Sequence, residues 1–77
     1  MKIELYAPGV CDLSKVDEKG FLHVPDGITL KEALKIIKLP LIWKKIFPCL
    51  LNYEKVPMDT VLKEGDTISI FTPITGG

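Results

Sequence analysis

The sequence predicts an α+β domain, a mixed four- to five-stranded sheet packed on one main helix. Three observations carry that expectation. Two apolar runs with strand patterning precede a capped amphipathic helix, short apolar segments follow it, and the last of these alternates over Thr67-Ile68-Ser69-Ile70 before a Pro-Ile-Thr-Gly-Gly end. At 77 residues there is room for one hydrophobic core and no second.

Met1 to Ala7 places Ile3 and Leu5 on one face and Lys2, Glu4 and Tyr6 on the other, the period of a strand with one buried side. Pro8-Gly9 stops it. A polar stretch with Asp12, Ser14, Asp17, Glu18, Lys19 and Gly20 leads to a second run, Phe21 to Val24, so the pair reads as a long-looped hairpin. Pro25-Asp26-Gly27 is a turn by its local chemistry, since proline holds one φ and glycine supplies the permissive one.

Thr29 and Glu32 stand at capping-box spacing, where the hydroxyl takes a backbone N–H of the first turn and the carboxylate reaches back. Leu30, Ala33, Leu34 and Ile37 then follow at i, i+3, i+4, i+7, with Lys31, Glu32, Lys35 and Lys38 on the wet side. Leu39-Pro40 ends this helix, because the residue before proline is pushed out of the α region. Leu41 to Phe47 reads as a short second helix closed by Pro48, and Cys49 to Tyr53 as a third strand. Glu54 to Val56 is expected as a very short fourth strand and Asp59 to Leu62 as a single helical turn before Lys63-Glu64-Gly65-Asp66. On the last strand, Ile68 and Ile70 point one way and Ser69 and Phe71 the other.

A helix after two strands must cover one face of their sheet, and a last strand lying parallel to the first leaves few open edges. This order is the β-grasp, or ubiquitin-like, arrangement, expected over residues 1–72 with residues 73–77 as a flexible tail.

Composition narrows the function. The chain is 47% hydrophobic and 26% charged, which suits a globular domain and excludes a wholly disordered one. Ten lysines balance ten acids, and there is no arginine, the favoured fork for phosphate and guanine edges, so no nucleic-acid partner is expected. The longest uncharged stretch, Thr67 to Gly77, falls well short of the ~20 residues that span a bilayer. Glu4 interrupts the start, and no apolar run of signal length follows. A cytoplasmic, membrane-free protein, monomeric when free, is therefore expected. Cys11 and Cys49, 38 positions apart, are then simplest as free thiols.

Chemistry concentrates at the end of the chain. Gly76-Gly77 cannot pack by side chains and loses much conformational entropy when ordered, so as structure it is a liability. Five extended residues from Pro73 reach roughly 16–18 Å, and a chain without Cβ atoms enters channels that other residues would block. The terminal carboxylate, with an ordinary pKa of about 3.3–3.7, is ionised at neutral pH and can attack phosphorus in a metal-bound nucleotide held by a partner. The product is an acyl phosphate or acyl adenylate, activated for a sulfur or nitrogen nucleophile. The alternative reading is an idle frayed terminus.

Phe71, placed by alternation on the open face beside the tail, suits an interface anchor, with Ile74 following it into the same groove. An ordinary second-face residue, or a register that buries it, is the other reading. His23 lacks any ligand spacing and reads as a surface or boundary residue. With Cys11 and Cys49 it offers three metal ligands but no short-range pair. Trp43, with Ile46 and Phe47, reads as core, with a second partner surface as the other reading, and Lys44-Lys45 as a solvated turn rather than an anion site. No Gly-rich phosphate loop, metal motif or nucleophile–base pair suggests an enzyme or a bound cofactor.

From Asn52 to Gly77, the Gly65-Asp66 turn, the alternating strand and the Pro73-Ile74-Thr75-Gly76-Gly77 end resemble the small sulfur-carrier proteins of molybdopterin and thiamine biosynthesis, the MoaD/ThiS group. That resemblance implies a protein cosubstrate rather than an enzyme. Gly77 would be adenylated by a ubiquitin-activating-type adenylyltransferase, which uses ATP and magnesium, and converted to a thiocarboxylate, while Gly76 keeps the tail slender. Phe71, Pro73, Ile74 and Thr75 would meet the partners, including a sulfur-accepting synthase large subunit. The Pro73-Ile74-Thr75 approach is more similar to the molybdopterin branch, although Thr72 stands where that branch tends to have a proline. A thiamine-branch carrier, a ubiquitin-like modifier joined to lysines and a plain binding module are the alternatives.

Overall fold

The computed structural model describes residues 1–9, 11–46 and 48–70. Strand β1 is Lys2–Tyr6, β2 Phe21–His23, β3 Cys49–Leu51 and β4 Thr67–Ile70; helix α1 is Leu30–Ile36 and α2 Leu41–Ile46. The four strands form one mixed sheet in the order β2-β1-β4-β3. β1 pairs antiparallel with β2 through Ile3↔Leu22 and parallel with β4 through Leu5↔Ile68, while β3 runs antiparallel to β4 through Leu51↔Ile68. The last strand thus lies parallel to the first, as its position after the helix demanded.

These registers bring Ile3, Leu5, Leu22, Leu51, Ile68 and Ile70 to one face, where they share a buried cluster with Leu30, Ala33, Leu34 and Ile37. The capping box that starts α1 is complete: Glu32 N–H donates to Thr29 Oγ1 at 3.2 Å and Thr29 N–H to Glu32 Oε1 at 2.9 Å. The remaining first-turn donors are met from the 58–60 segment, Leu30 N–H by Thr60 O at 2.9 Å and Lys31 N–H by Met58 O at 2.9 Å. At the other end Lys38 takes φ +54°, so that Leu39 N–H reaches Leu34 O at 3.1 Å and Lys38 N–H reaches Lys35 O at 3.0 Å. This is a Schellman turn, with buried Leu39 as its apolar contact, and it stops the helix before Pro40 acts.

The structure corrects several expectations. β3 stops at Leu51, because Asn52 and Tyr53 both adopt positive φ and form a two-residue turn closed by reciprocal Leu51 and Glu54 backbone bonds. Glu54 to Val56 is no strand; it contributes one isolated bridge, Leu51↔Glu54. Asp59 to Leu62 is not a helical turn. Val61 bridges Thr29 and Leu62 N–H donates to Ile28 O at 2.8 Å, because an extended chain buries Leu62 beside the start of α1.

Helix α2 forms as expected, but Lys44 and Lys45 lie in its last turn rather than in a loop. It buries none of its residues: Ile46 is 61% exposed, and Trp43 packs only partly against the core, since α1 already fills the sheet's inner face. Phe47 lies outside the described residues. On β4 all four residues are buried, Thr67 and Ser69 included, because a central strand is flanked on both faces by its neighbours' side chains.

Candidate functional site

The residues singled out at the end of the sequence, Phe71, Pro73, Ile74, Thr75, Gly76 and Gly77, lie outside the described residues, as does the boundary between the expected domain and tail. What the structure describes is the strand that leads to them and how it is held. β4 is anchored at its start by the Lys63–Asp66 turn. Gly65 has φ +84°, a conformation glycine adopts at no steric cost, and its N–H donates to Lys2 O at 3.0 Å. Asp66 closes the turn by accepting from Lys63 N–H at 2.8 Å through Oδ2. Its other carboxylate oxygen accepts from Asn52 Nδ2 at 3.0 Å, and Asn52 Oδ1 accepts from Thr67 N–H at 3.0 Å.

The same strand start is tied to β1. Asp66 O accepts from Glu4 N–H at 2.9 Å, and Thr67 Oγ1 donates to Glu4 Oε1 at 3.1 Å. Glu4 Oε2 accepts from the Tyr6 hydroxyl at 2.9 Å. That hydrogen bond, reinforced by the nearby negative charge, raises the Tyr6 pKa above its ordinary value, so the phenol stays protonated and donating. Asn52, Asp66, Glu4 and Tyr6 therefore hold β4 in register between its neighbours and aim its far end, where Ile70 lies opposite Cys49, along a defined line.

The sheet face turned away from α1 carries Lys2, Glu4 and Tyr6 of β1, Phe21 and His23 of β2, Leu50 of β3 and Ser69 of β4. Tyr6 is 53% exposed beside Ser69, the last residue on this face before the described chain ends. Lys2 Nζ lies 5.3 Å from the Phe21 ring centroid, within cation–π distance. Sequence reasoning marked none of Tyr6, Asn52 or Glu4. Their signal was faint: alternation put Glu4 and Tyr6 on the outer face, but only strand pairing brings Glu4 to Thr67.

The other candidates are dispersed. His23 is exposed, with Nε2 2.8 Å from Asp17 Oδ2, whereas Cys11 and Cys49 are buried free thiols. Among the described residues no group of three or more His, Cys, Asp or Glu side chains is placed to hold a metal ion. Desolvation pushes the Cys49 thiol up to about 11, partly countered by Lys44, and burial raises Cys11 as well, so both are neutral and poorly nucleophilic near pH 7. Among the described residues no helix is long and apolar enough to cross a membrane.

Comparison with known proteins follows the same outline. The crystal structure of SAMP1 from Haloferax volcanii superposes with a TM-score of 0.55 at 22% identity, covering 100% of this chain and 98% of that one, and shows the β-grasp fold. A search among curated proteins found no match. The ThiS family profile matches residues 13–77. Because that span takes in most of the chain, both terminal glycines and the clamped strand that precedes them, the chain belongs to the ThiS family.

Proposed function

We propose that this protein is a sulfur carrier whose working group is the carboxyl of Gly77. One observation carries the reading: the ThiS family match runs through residue 77 and so includes the Gly76-Gly77 end. The β-grasp domain serves as the handle that partners recognise, and the slender end serves as the part they process.

In the first step a Gly77 carboxylate oxygen attacks the α-phosphorus of magnesium-bound ATP in a ubiquitin-activating-type adenylyltransferase. A P–O bond forms, pyrophosphate leaves with the electron pair, and an acyl adenylate results. In the second step a sulfide-level donor, formally hydrosulfide, adds to the acyl carbon and AMP departs. The product is a thiocarboxylate after loss of one proton, with no change in oxidation state. Phe71, Pro73, Ile74 and Thr75 provide the approach into the partner's channel, and Tyr6 on the outer face pairs with Ser69 on the strand that precedes them.

The sulfur is then passed, through a synthase large subunit, to the dithiolene of the molybdenum or tungsten cofactor. The Pro73-Ile74-Thr75 approach supports this destination over thiazole formation. The test is intact mass after incubation with ATP, magnesium, a sulfide source and the activating partner. Replacement of one oxygen by sulfur is expected in the full chain, with none after deletion of Gly77. A ladder of lysine conjugates on a denaturing gel, without a transferable sulfur, would overturn the carrier reading in favour of protein modification. Equal function with and without Gly77 would leave a plain binding module.

A further inference from the structure

Helix α2 and the segment after the Asn52-Tyr53 turn enclose a cleft of about 260 Å³. Its described lining includes Lys44 and Lys45 from the last turn of α2 and Lys55 from the facing segment, with Ile46, Val56 and Met58 supplying apolar surface. No acidic residue is among the described lining residues. Among the described residues none of the three ammonium groups has a carboxylate at ion-pair distance, in contrast to Lys38, which has Asp12 at 3.9 Å. In a chain with zero net charge this is a local concentration of like charge, and such a cleft raises the local concentration of anions.

The apolar part is as informative as the charge. Ile46 is 61% exposed, and Ile42, one turn earlier on the same helix face, is 65% exposed. A bare inorganic anion would satisfy the lysines and leave this surface wet. The volume falls below the roughly 300–1,000 Å³ of drug-sized pockets and suits one large side chain. Charge and shape together call for carboxylates flanking an apolar anchor.

We propose that this cleft docks an acidic peptide segment of a partner protein, with an apolar side chain seated against Ile46, Val56 and Met58 and flanking carboxylates meeting Lys44, Lys45 and Lys55. The cleft is separate from the chemistry of Gly77 and stands whether or not that chemistry does. Its mouth is nevertheless close to the strand end: Cys49, in its lining, pairs with Ile70. A partner held here would be held beside the end of β4.

The experiment is a titration of the full-length, ¹⁵N-labelled chain with the blocked peptide EDLFDE, using the blocked peptide KKLFKK as counterpart. EDLFDE is expected to shift backbone resonances within residues 42–58, with affinity that falls as salt is raised. Charge reversal in a Lys44→Glu, Lys55→Glu variant is expected to weaken binding at least about tenfold, whereas Lys35→Glu on the wet side of α1 leaves it unchanged. Neutralisation by Lys44→Gln, Lys55→Gln repeats the loss should the reversed variant unfold. Binding of EDLFDE no tighter than KKLFKK, or shifts elsewhere on the molecule, overturns the proposal. So do identical shifts with inorganic phosphate alone. If deletion of residues 73–77 moves these resonances while EDLFDE does not, the chain's own end occupies the cleft and the proposal is again overturned.

Discussion

Asp17 shows how much one half-buried carboxylate can organise. Its Oδ1 accepts from the backbone N–H of Lys19 at 2.9 Å and of Phe21 at 3.0 Å, its Oδ2 lies 2.8 Å from His23 Nε2, and its carbonyl accepts from Gly20 N–H at 3.0 Å. The loop into β2 is built on it. Led by the His23 hydrogen bond and then the Phe21 N–H, these contacts lower its pKa from the usual 3.8 to about 2. A carboxylate depressed on folding contributes stability above its unfolded pKa and loses it as pH falls through the folded value, so the window here runs from about pH 4 down to pH 2. Asp17→Asn is therefore expected to be less stable than the parent at pH 7, with the gap closing below pH 3. Urea midpoints at several pH values check this, and a gap that persists unchanged at pH 2 would show that the charge is irrelevant.

Helix α1 is short, only 7 residues, and such a helix is marginal without its ends. Its start is doubly secured, by the Thr29–Glu32 box and by carbonyls of the 58–60 segment. Its end carries a cost, because Lys38 holds φ +54° where glycine would be free of strain. Lys38→Gly is expected to stabilise by about 1 kcal/mol, since a left-handed L-residue costs roughly 1–2 kcal/mol and the added freedom of the unfolded chain takes part of that back. The ion pair to Asp12 lost in the exchange is long and exposed and offsets little. A melting temperature raised by about 4–8 °C is the expected reading; an unchanged or lower one would mean that the lysine stem packs usefully there. Helix α2 is the opposite case, an element whose Leu41, Ile42 and Ile46 face outward while Trp43 packs partly on the core, and the docking cleft follows from that.

Taken whole, the molecule joins its first and last strands at the centre of its sheet, so β1 and β4 bring together parts of the chain more than sixty residues apart. The core that results is small. Ile3, Leu22, Leu30, Leu34, Ile37 and Ile68 are the largest of its fully buried side chains, and a chain of this length has a total stability of roughly 4–12 kcal/mol. Leu34→Ala is expected to remove about 2–5 kcal/mol, a large share of that total, and denaturant unfolding would measure it. A loss below 1 kcal/mol would show that the helix–sheet interface collapses around the gap. Truncation within the Gly76-Gly77 end, by contrast, spares every side chain in this core.

Local chemistry made much of this legible in advance. The alternation of Ile3 with Leu5, the Thr29–Glu32 spacing, the helical period of Leu30, Ala33, Leu34 and Ile37 and the Gly65-Asp66 turn are short-range signals, written within a few residues of where they act. Element order then left the β-grasp as the arrangement that covers the sheet and pairs the last strand, and the resemblance at Asn52 to Gly77 pointed to the family. What depended on distant partners could not be read. Tyr53 accepts a left-handed backbone because the Asn52 side chain is committed to Asp66 and Thr67, and Asp59 to Leu62 extends because the open Leu30 N–H of α1 donates to the Thr60 carbonyl and Leu62 N–H donates to that of Ile28. Lys55 joins Lys44 and Lys45 around one cleft only after the chain has reversed at β3. Those outcomes are set by long-range pairing energies, which exceed local preference and leave no mark in neighbouring residues.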